Sequence, residues 1–213
     1  MTGPAPLPAN PDVIVESDET VWDGRFALQR IKFRNRRFDG AMSGQRTWEL
    51  WRRGRAAALL PYDPVTDTVV LVEQFRLPAL AAGIEPVMVE VPAGLCDPGE
   101  DPAVALLREA QEEIGIAPRR LLPIGDFMLT PGGCDERIAL YAGEVTAPAS
   151  DENGIAGHGG LASEQEDIRI RVWPAARAIE AALAGQFANI VTTVALLWLA
   201  ARHEALRRDW TTP

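Results

Sequence analysis

Gly94-Leu95-Cys96-Asp97-Pro98-Gly99-Glu100 and, seven residues on, Arg108-Glu109-Ala110-Gln111-Glu112-Glu113-Ile114-Gly115-Ile116 form the stretch that decides the fold. The second half reads as a helix. Asp101 is an N-cap acid, Pro102 suits the first helical position, and Gly115 ends the helix after Ile114. Glu109, Glu112 and Glu113 fall at i, i+3 and i+4, so they share one face. Val104, Leu107, Ala110, Gln111 and Ile114 fall around the opposite face, which is expected to pack against a sheet. Three like charges on one face destabilise a helix unless something offsets them. Spacing alone leaves two readings: a solvated acidic face, or a site for a hard cation such as Mg²⁺ or Mn²⁺, which favours carboxylate oxygen.

The chain before this helix is β-prone. Residues 13–52 alternate short β-prone runs with turn signals. RFALQRIKF (25–33) and QRTWELW (45–51) read as strands around the turn region NRRFDGAMSG. RAAALLPY (55–62) and TVVLVEQF (68–75) are apolar runs joined by the hairpin-like turn DPVTD. A shorter run, Val87–Val91, ends at Pro92-Ala93-Gly94. After the helix, strands are expected near 122–128, 137–144 and 167–173. Helices are expected from Pro174 to about Leu183 and from about Ile190 to Arg208. Residues 146–164, polar and Gly-rich, read as a long mobile loop. No internal repeat is visible. Strands, one helix, more strands and two helices make a mixed α+β layered domain with a small N-terminal β annex.

Composition sets the outer limits. The 213 residues suffice for one large domain, or one with an annex, and for a buried core. The formal net charge of -9 argues against a nucleic-acid surface, which needs clustered cations. Cys96 and Cys134 are too few for a disulfide framework and read as reduced thiols of a cytoplasmic protein. His158 and His203 are too few for a His-rich zinc site and adjoin no nucleophile motif. The opening MTGPAPLPANPD lacks a basic start and an apolar run, so it reads as a flexible tail over residues 1–12, not a signal peptide. The longest apolar run, IVTTVALLWLAA (190–201), falls short of the ~20 residues a bilayer requires, so no membrane partner is expected.

The pattern Gly-x5-Glu-x7-Arg-Glu-x-x-Glu-Glu-x-Gly, from Gly94 to Gly115, fits every fixed position of the Nudix signature. The chain therefore resembles the Nudix hydrolase superfamily, whose members hydrolyse a nucleoside diphosphate linked to another moiety. The one small departure is Ala110, where the motif usually has a larger aliphatic residue. The resemblance implies a Nudix α/β/α sandwich over 54–210, a mixed sheet between helices. It also implies a small antiparallel β domain over 13–53 that takes part in dimerisation. Glu109 and Glu113 are then the principal metal ligands, Glu112 a further ligand or a group behind them, and the Ala93 carbonyl completes the shell. Arg108 orients the carboxylates, Glu100 braces the loop, and Gly94 and Gly115 have backbone roles.

Further stretches are similar to the ADP-ribose pyrophosphatase branch. Pro131, fifteen residues past Ile116, stands where that branch carries a marker proline. Ser163-Glu164-Gln165-Glu166-Asp167-Ile168 resembles its catalytic loop, which makes Glu164 the general base and Glu166 an extra metal ligand. Arg76, in Glu73-Gln74-Phe75-Arg76, matches the arginine that grips the diphosphate; a guanidinium fork suits phosphate oxygens. Asn189–Trp198 and HEALRRDW resemble the branch's last helix, so the likeness runs from about Phe26 to Trp210. Phe26 and Trp48 match two aromatics that sandwich adenine, one from each subunit, with Glu49 accepting from the adenine amino group. Arg53, Glu136 and Gly94 are placed with the substrate in the same way.

The implied activity is hydrolysis of ADP-ribose to AMP and ribose 5-phosphate, assisted by Mg²⁺ with Mn²⁺ as the alternative, at about two or three ions per site. Glu164 takes the proton of the attacking water, carried in by a hinge at the Gly-rich loop 153–160. The implied assembly is a homodimer with exchanged N-terminal strands. Other ADP-sugars, NADH or FAD are alternative substrates. A sensor that binds ADP-ribose without cleaving it is the alternative of another class.

Overall fold

A computed structural model describes residues 4–212. In chain order the elements are β1 (Val13–Asp23), β2 (Ala27–Asn35), β3 (Arg46–Arg52), β4 (Arg55–Asp63), β5 (Thr68–Phe75), α1 (Leu77–Ala81), β6 (Val87–Glu90), β7 (Ala93–Leu95) and α2 (Pro102–Ile114). They continue with β8 (Arg120–Met128), β9 (Arg137–Glu144), β10 (Ile155–Gly159), β11 (Ile168–Pro174), α3 (Ala175–Leu183) and α4 (Ile190–Thr211). Two compact units result. One runs to Gly54 and adds Met128–Arg137; the other comprises Arg55–Phe127 and the chain from Ile138 onward.

The first unit is built on a three-stranded antiparallel sheet, β1-β2-β3. All eleven residues of β1 are exposed, on both faces of the strand. Residues 1–3 of the expected tail lie outside the described residues. Within the described part, the Ala5 carbonyl accepts a hydrogen bond from Arg52 Nη2 at 3.0 Å.

The second unit is a mixed eight-stranded sheet between helices. Its spine is ordered β10-β11-β5-β4-β9-β8, with β6 added to β5 and β7 to β4. β4 and β5 are near-continuous apolar runs because helices cover the sheet on both sides. Alternation sorts their residues. Ala57, Leu59, Val70 and Val72 pack with Ala105, Leu106, Ala110 and Ile114 of α2. Tyr62, of the opposite parity, meets His203 and Trp210 of α4 edge-on or tilted. Ala195, Leu196 and Leu199 of α4 are fully buried. The β4–β5 turn closes on Asp63, whose Oδ1 accepts from the Val65 and Thr66 amides at 2.8 and 3.2 Å.

Several sequence expectations need correction. The stretch 146–164 is not one loop: β10 pairs antiparallel with β11, and a 3-10 turn spans Ala162–Glu164. Its glycines lack an apolar alternation, so the strand forms through pairing and close approach. Any Cβ on Gly159 would overlap the Glu113 carbonyl, and the Gly160 amide donates to the Glu112 carbonyl at 2.9 Å. The buried face of α2 also differs. Val104 and Leu107 are exposed, while Ala105, Leu106, Ala110, Glu113 and Ile114 are buried. One carboxylate of the acidic set therefore sits on the packed side. Three elements had no pattern to announce them: β1 as one long strand, and the short α1 and β7, the latter across the Pro-Ala-Gly turn. β7 forms because Ala93, Gly94 and Leu95 pair with Ala58, Ala57 and Ala56 of β4.

Candidate active site

α2 delivers the acids where its backbone is well fixed. Asp101 Oδ1 accepts from the Ala103 amide at 2.8 Å, Pro102 fills the first position, and Gly115 closes the helix at φ 67°. Glu109, Glu112 and Glu113 lie toward its C-terminal end, where the helix dipole disfavours anions. Their neighbours must compensate.

Arg108 is the main compensating group. Its Nη1 donates to Glu109 Oε1 at 2.8 Å and Glu112 Oε2 at 3.3 Å, and its Nη2 to the Leu95 carbonyl at 3.1 Å and Glu100 Oε2 at 3.3 Å. Hydrogen bonding to Glu100 is the largest of the influences that raise the Arg108 pKa above its ordinary value. Glu100 also accepts from the Asp97 amide at 2.8 Å, so it braces the 95–100 loop; that bond and Arg108 hold its carboxyl below the usual range.

Glu113 is only 4% exposed. Its Oε2 accepts from the Ala93 amide at 3.0 Å. Burial pushes its carboxyl up to about 8; the Ala93 hydrogen bond and Arg76 oppose this, while the charges of Glu109 and Glu166 add to it. Burial also raises Glu109, against the pull of Arg108 and with the help of Glu112 and Glu166. Gly94 is what lets the pair form: a Cβ there would overlap the Glu109 carboxylate. Glu166 holds the Leu161 amide at 3.0 Å, just after the α2-anchored Gly160. Glu164 is exposed on the 3-10 turn.

These donors fit a hard divalent cation. They are carboxylate oxygens plus a backbone carbonyl candidate at Ala93, and burial, with neighbouring carboxylate charge, raises Glu109 and Glu113, a cost that a cation would offset. Among the described residues, no three acidic, histidine or cysteine side chains are already drawn tightly around one point.

Arg76 sits at the β5–α1 junction, with Nε donating to Glu90 Oε2 at 2.7 Å. Sequence reasoning missed Glu90, Gly159 and Gly160. Only the glycines had a visible signal, as a Gly-rich run.

The first unit holds its own cluster. Phe26 meets Trp51 edge-on at 6.0 Å, and the Arg53 guanidinium covers both rings at 4.4 and 4.8 Å. Glu136 fixes Arg53, accepting from Nε at 3.2 Å and Nη2 at 2.9 Å. With Trp22, Arg25 and Leu28, Phe26 and Trp51 line a cleft of about 550 Å³. Trp48 is not in this cluster. Three positions from Trp51 on β3, it points to the other face of the sheet, against Phe33 at 5.5 Å and under Arg46 at 5.0 Å. Glu49 is exposed and has the parity of Trp51.

The acids on this capped helix and the glycine turn opposite them lie within the part of the chain that comparison with known proteins identifies. The NUDIX domain model matches residues 52–189, and the chain belongs to that family. It is 39% identical over 199 residues to the ADP-ribose pyrophosphatase of Escherichia coli K12, covering 93% of each chain. It is 36% identical to the ADP-ribose pyrophosphatase of Haemophilus influenzae, covering 93% of this chain and 91% of that one. A GDP-mannose pyrophosphatase of Salmonella arizonae is 31% identical over 90% of this chain and 97% of its own. A crystal structure of an ADP compounds hydrolase shares the fold, with a TM-score of 0.64 at 20% identity, covering 92% of this chain and 98% of that one.

Proposed function

We propose that this chain hydrolyses the diphosphate bond of ADP-ribose, giving AMP and ribose 5-phosphate. The observation that carries the reading is the placing of two acids at one turn: Glu109 packs against Gly94, and Glu113 Oε2 accepts from the Ala93 amide. The two ADP-ribose pyrophosphatases above support the choice of substrate.

Glu109, Glu112, Glu113, Glu166 and the Ala93 carbonyl would hold Mg²⁺, with Mn²⁺ the alternative, at about two or three ions. When bound, the cations neutralise the diphosphate and acidify water. Arg108 keeps Glu109 and Glu112 aligned. Arg76 grips a phosphate through its guanidinium. Glu164, exposed and on a turn, is free to accept the proton of the attacking water at its carboxylate.

Phe26 and Trp48, one from each subunit of a homodimer, supply the π-faces for adenine, and Arg53, Glu49, Glu136 and Gly94 complete substrate binding. The dimer reading is supported by β1, which leaves Val13, Ile14, Val15, Val21 and Trp22 exposed. A cytoplasmic setting suits the two free cysteines. No helix among the described residues is long and apolar enough to cross a membrane.

The test is Mg²⁺-dependent turnover of ADP-ribose by wild type, Glu113→Gln and Glu164→Gln, with products resolved by chromatography. Other ADP-sugars, GDP-mannose, NADH and FAD complete the panel. Both variants retaining wild-type kcat would overturn the site. Tight binding without turnover would mark a sensor. A monomer in light scattering with full activity would overturn the dimer.

A further inference from the structure

Glu90 is a buried acid outside the metal-binding set. Its side chain is 5% exposed, yet both of its oxygens are used. Oε2 takes the Arg76 Nε proton at 2.7 Å, and Oε1 takes one from Asn189 Nδ2. Asn189 is itself fixed, because its Oδ1 caps α4 by accepting from the Thr192 amide at 3.0 Å. Thr192 Oγ1 then accepts from the Val91 amide at 3.0 Å, next to Glu90. The backbone of Arg76 is held as well: its amide donates to the Pro86 carbonyl at 2.7 Å, and its carbonyl accepts from the Ala79 amide at 3.0 Å.

The geometry of the arginine is the informative part. Glu90 engages Nε, at the root of the guanidinium. Among the described residues, no hydrogen bond occupies Nη1 or Nη2, and the side chain is 42% exposed. A fork held by its root presents two parallel donors outward, the arrangement that meets phosphate oxygens two at a time. A surface arginine loses rotamer freedom when it binds; here the protein has already removed it.

We propose that Glu90, locked by Asn189 at the start of α4, is a positioning residue that aims the Nη groups of Arg76 at the substrate diphosphate. The inference rests on the assignment of Arg76 to that group. It makes the last helix a part of substrate binding through its N-cap.

The experiment is steady-state kinetics on ADP-ribose with saturating Mg²⁺, comparing wild type, Arg76→Ala, Glu90→Gln, Asn189→Ser and Arg76→Ala/Glu90→Gln. Serine keeps an oxygen to cap α4 but loses the amide donor to Glu90. Arg76→Ala is expected to raise KM by about tenfold or more, the loss of a charged hydrogen bond. Glu90→Gln and Asn189→Ser are expected to raise KM by about three- to tenfold with kcat within about twofold. In the double variant KM should match that of Arg76→Ala alone. A raised KM in Arg76→Ala with unchanged KM in the other two overturns the positioning role. So does an equal effect of Glu90→Gln in both backgrounds, which marks a purely structural acid. If Glu90→Gln does not fold, Asn189→Ser decides by the same criterion. An unchanged KM in Arg76→Ala overturns the assignment of Arg76, and the positioning role with it.

Discussion

Gly94 faces Glu109 so closely that any Cβ at position 94 would occupy the space of the carboxylate. The pairing of β7 with β4 holds Gly94 in place, so Glu109 must be the one to move. Gly94→Ala is therefore expected to lower kcat/KM on the order of 10²-fold, since displacement by about 1 Å has that effect. The melting temperature should change little, because Glu109 is only partly buried. Full activity in Gly94→Ala would show that Glu109 need not sit where it does.

Cation affinity should climb with pH. Burial pushes Glu113 up to about 8, and in the proposed role it must lose its proton to bind a cation. Mg²⁺ affinity measured by calorimetry is expected to rise from pH 6 to pH 8 and then level off, with proton release in the lower range. Without metal, the raised pKa stabilises the fold fully below the unfolded carboxylate value, and that contribution is lost as pH rises through about 8. Glu113→Gln should reduce the fall in metal-free stability between about pH 5 and pH 8. An affinity indifferent to pH would contradict the burial argument.

Asp67 gives the opposite sign. It ties the β4–β5 turn to α4, with Oδ1 within hydrogen-bond distance of Tyr62 Oη at 2.8 Å and His203 Nε2 at 2.6 Å, and Oδ2 accepting from Arg207 at 3.0 Å. Burial acts to raise its carboxyl, but those hydrogen bonds and charges hold it below the ordinary value. Its stabilisation is present above the unfolded carboxylate pKa and lost as pH falls through the depressed folded one. Asp67 has φ 56°, a conformation that asparagine also accepts. Asp67→Asn is thus expected to cost about 1–3 kcal/mol in denaturant unfolding at pH 7. The gap to wild type should shrink as pH falls below about 4.

Gly159 tests the link between β10 and α2. Its φ is not in the left-handed region, so alanine is conformationally allowed, but the new Cβ would overlap the Glu113 carbonyl. Gly159→Ala is expected to destabilise by about 1–3 kcal/mol. It should also reduce activity by displacing Glu164 and Glu166, which follow on the same segment. Unchanged melting and unchanged kcat together would refute the anchor.

The elements with punctuation were legible before the structure. Asp101, Pro102 and Gly115 bound α2 at the residues where the helix starts and stops. The apolar runs of β4 and β5 needed no partner to be recognised. What stayed hidden depends on contacts distant in sequence. β10 has no apolar alternation and exists because Gly159 fits against α2. Glu113 looked like one of three acids on an outer face, yet the sheet turns its side inward. Within one chain strand alternation gives Phe26 the ring of Trp51 and turns Trp48 to the other face, a pairing that only the folded sheet displays. Glu90 meets partners 14 and 99 positions away, which no local pattern reports.

Arg108 bridges Glu100, Glu109, Glu112 and the Leu95 carbonyl with one guanidinium. It is a resident cation, standing in before any mobile ion arrives. On the proposed role, an arriving ion would meet acids already held in place by this one arginine.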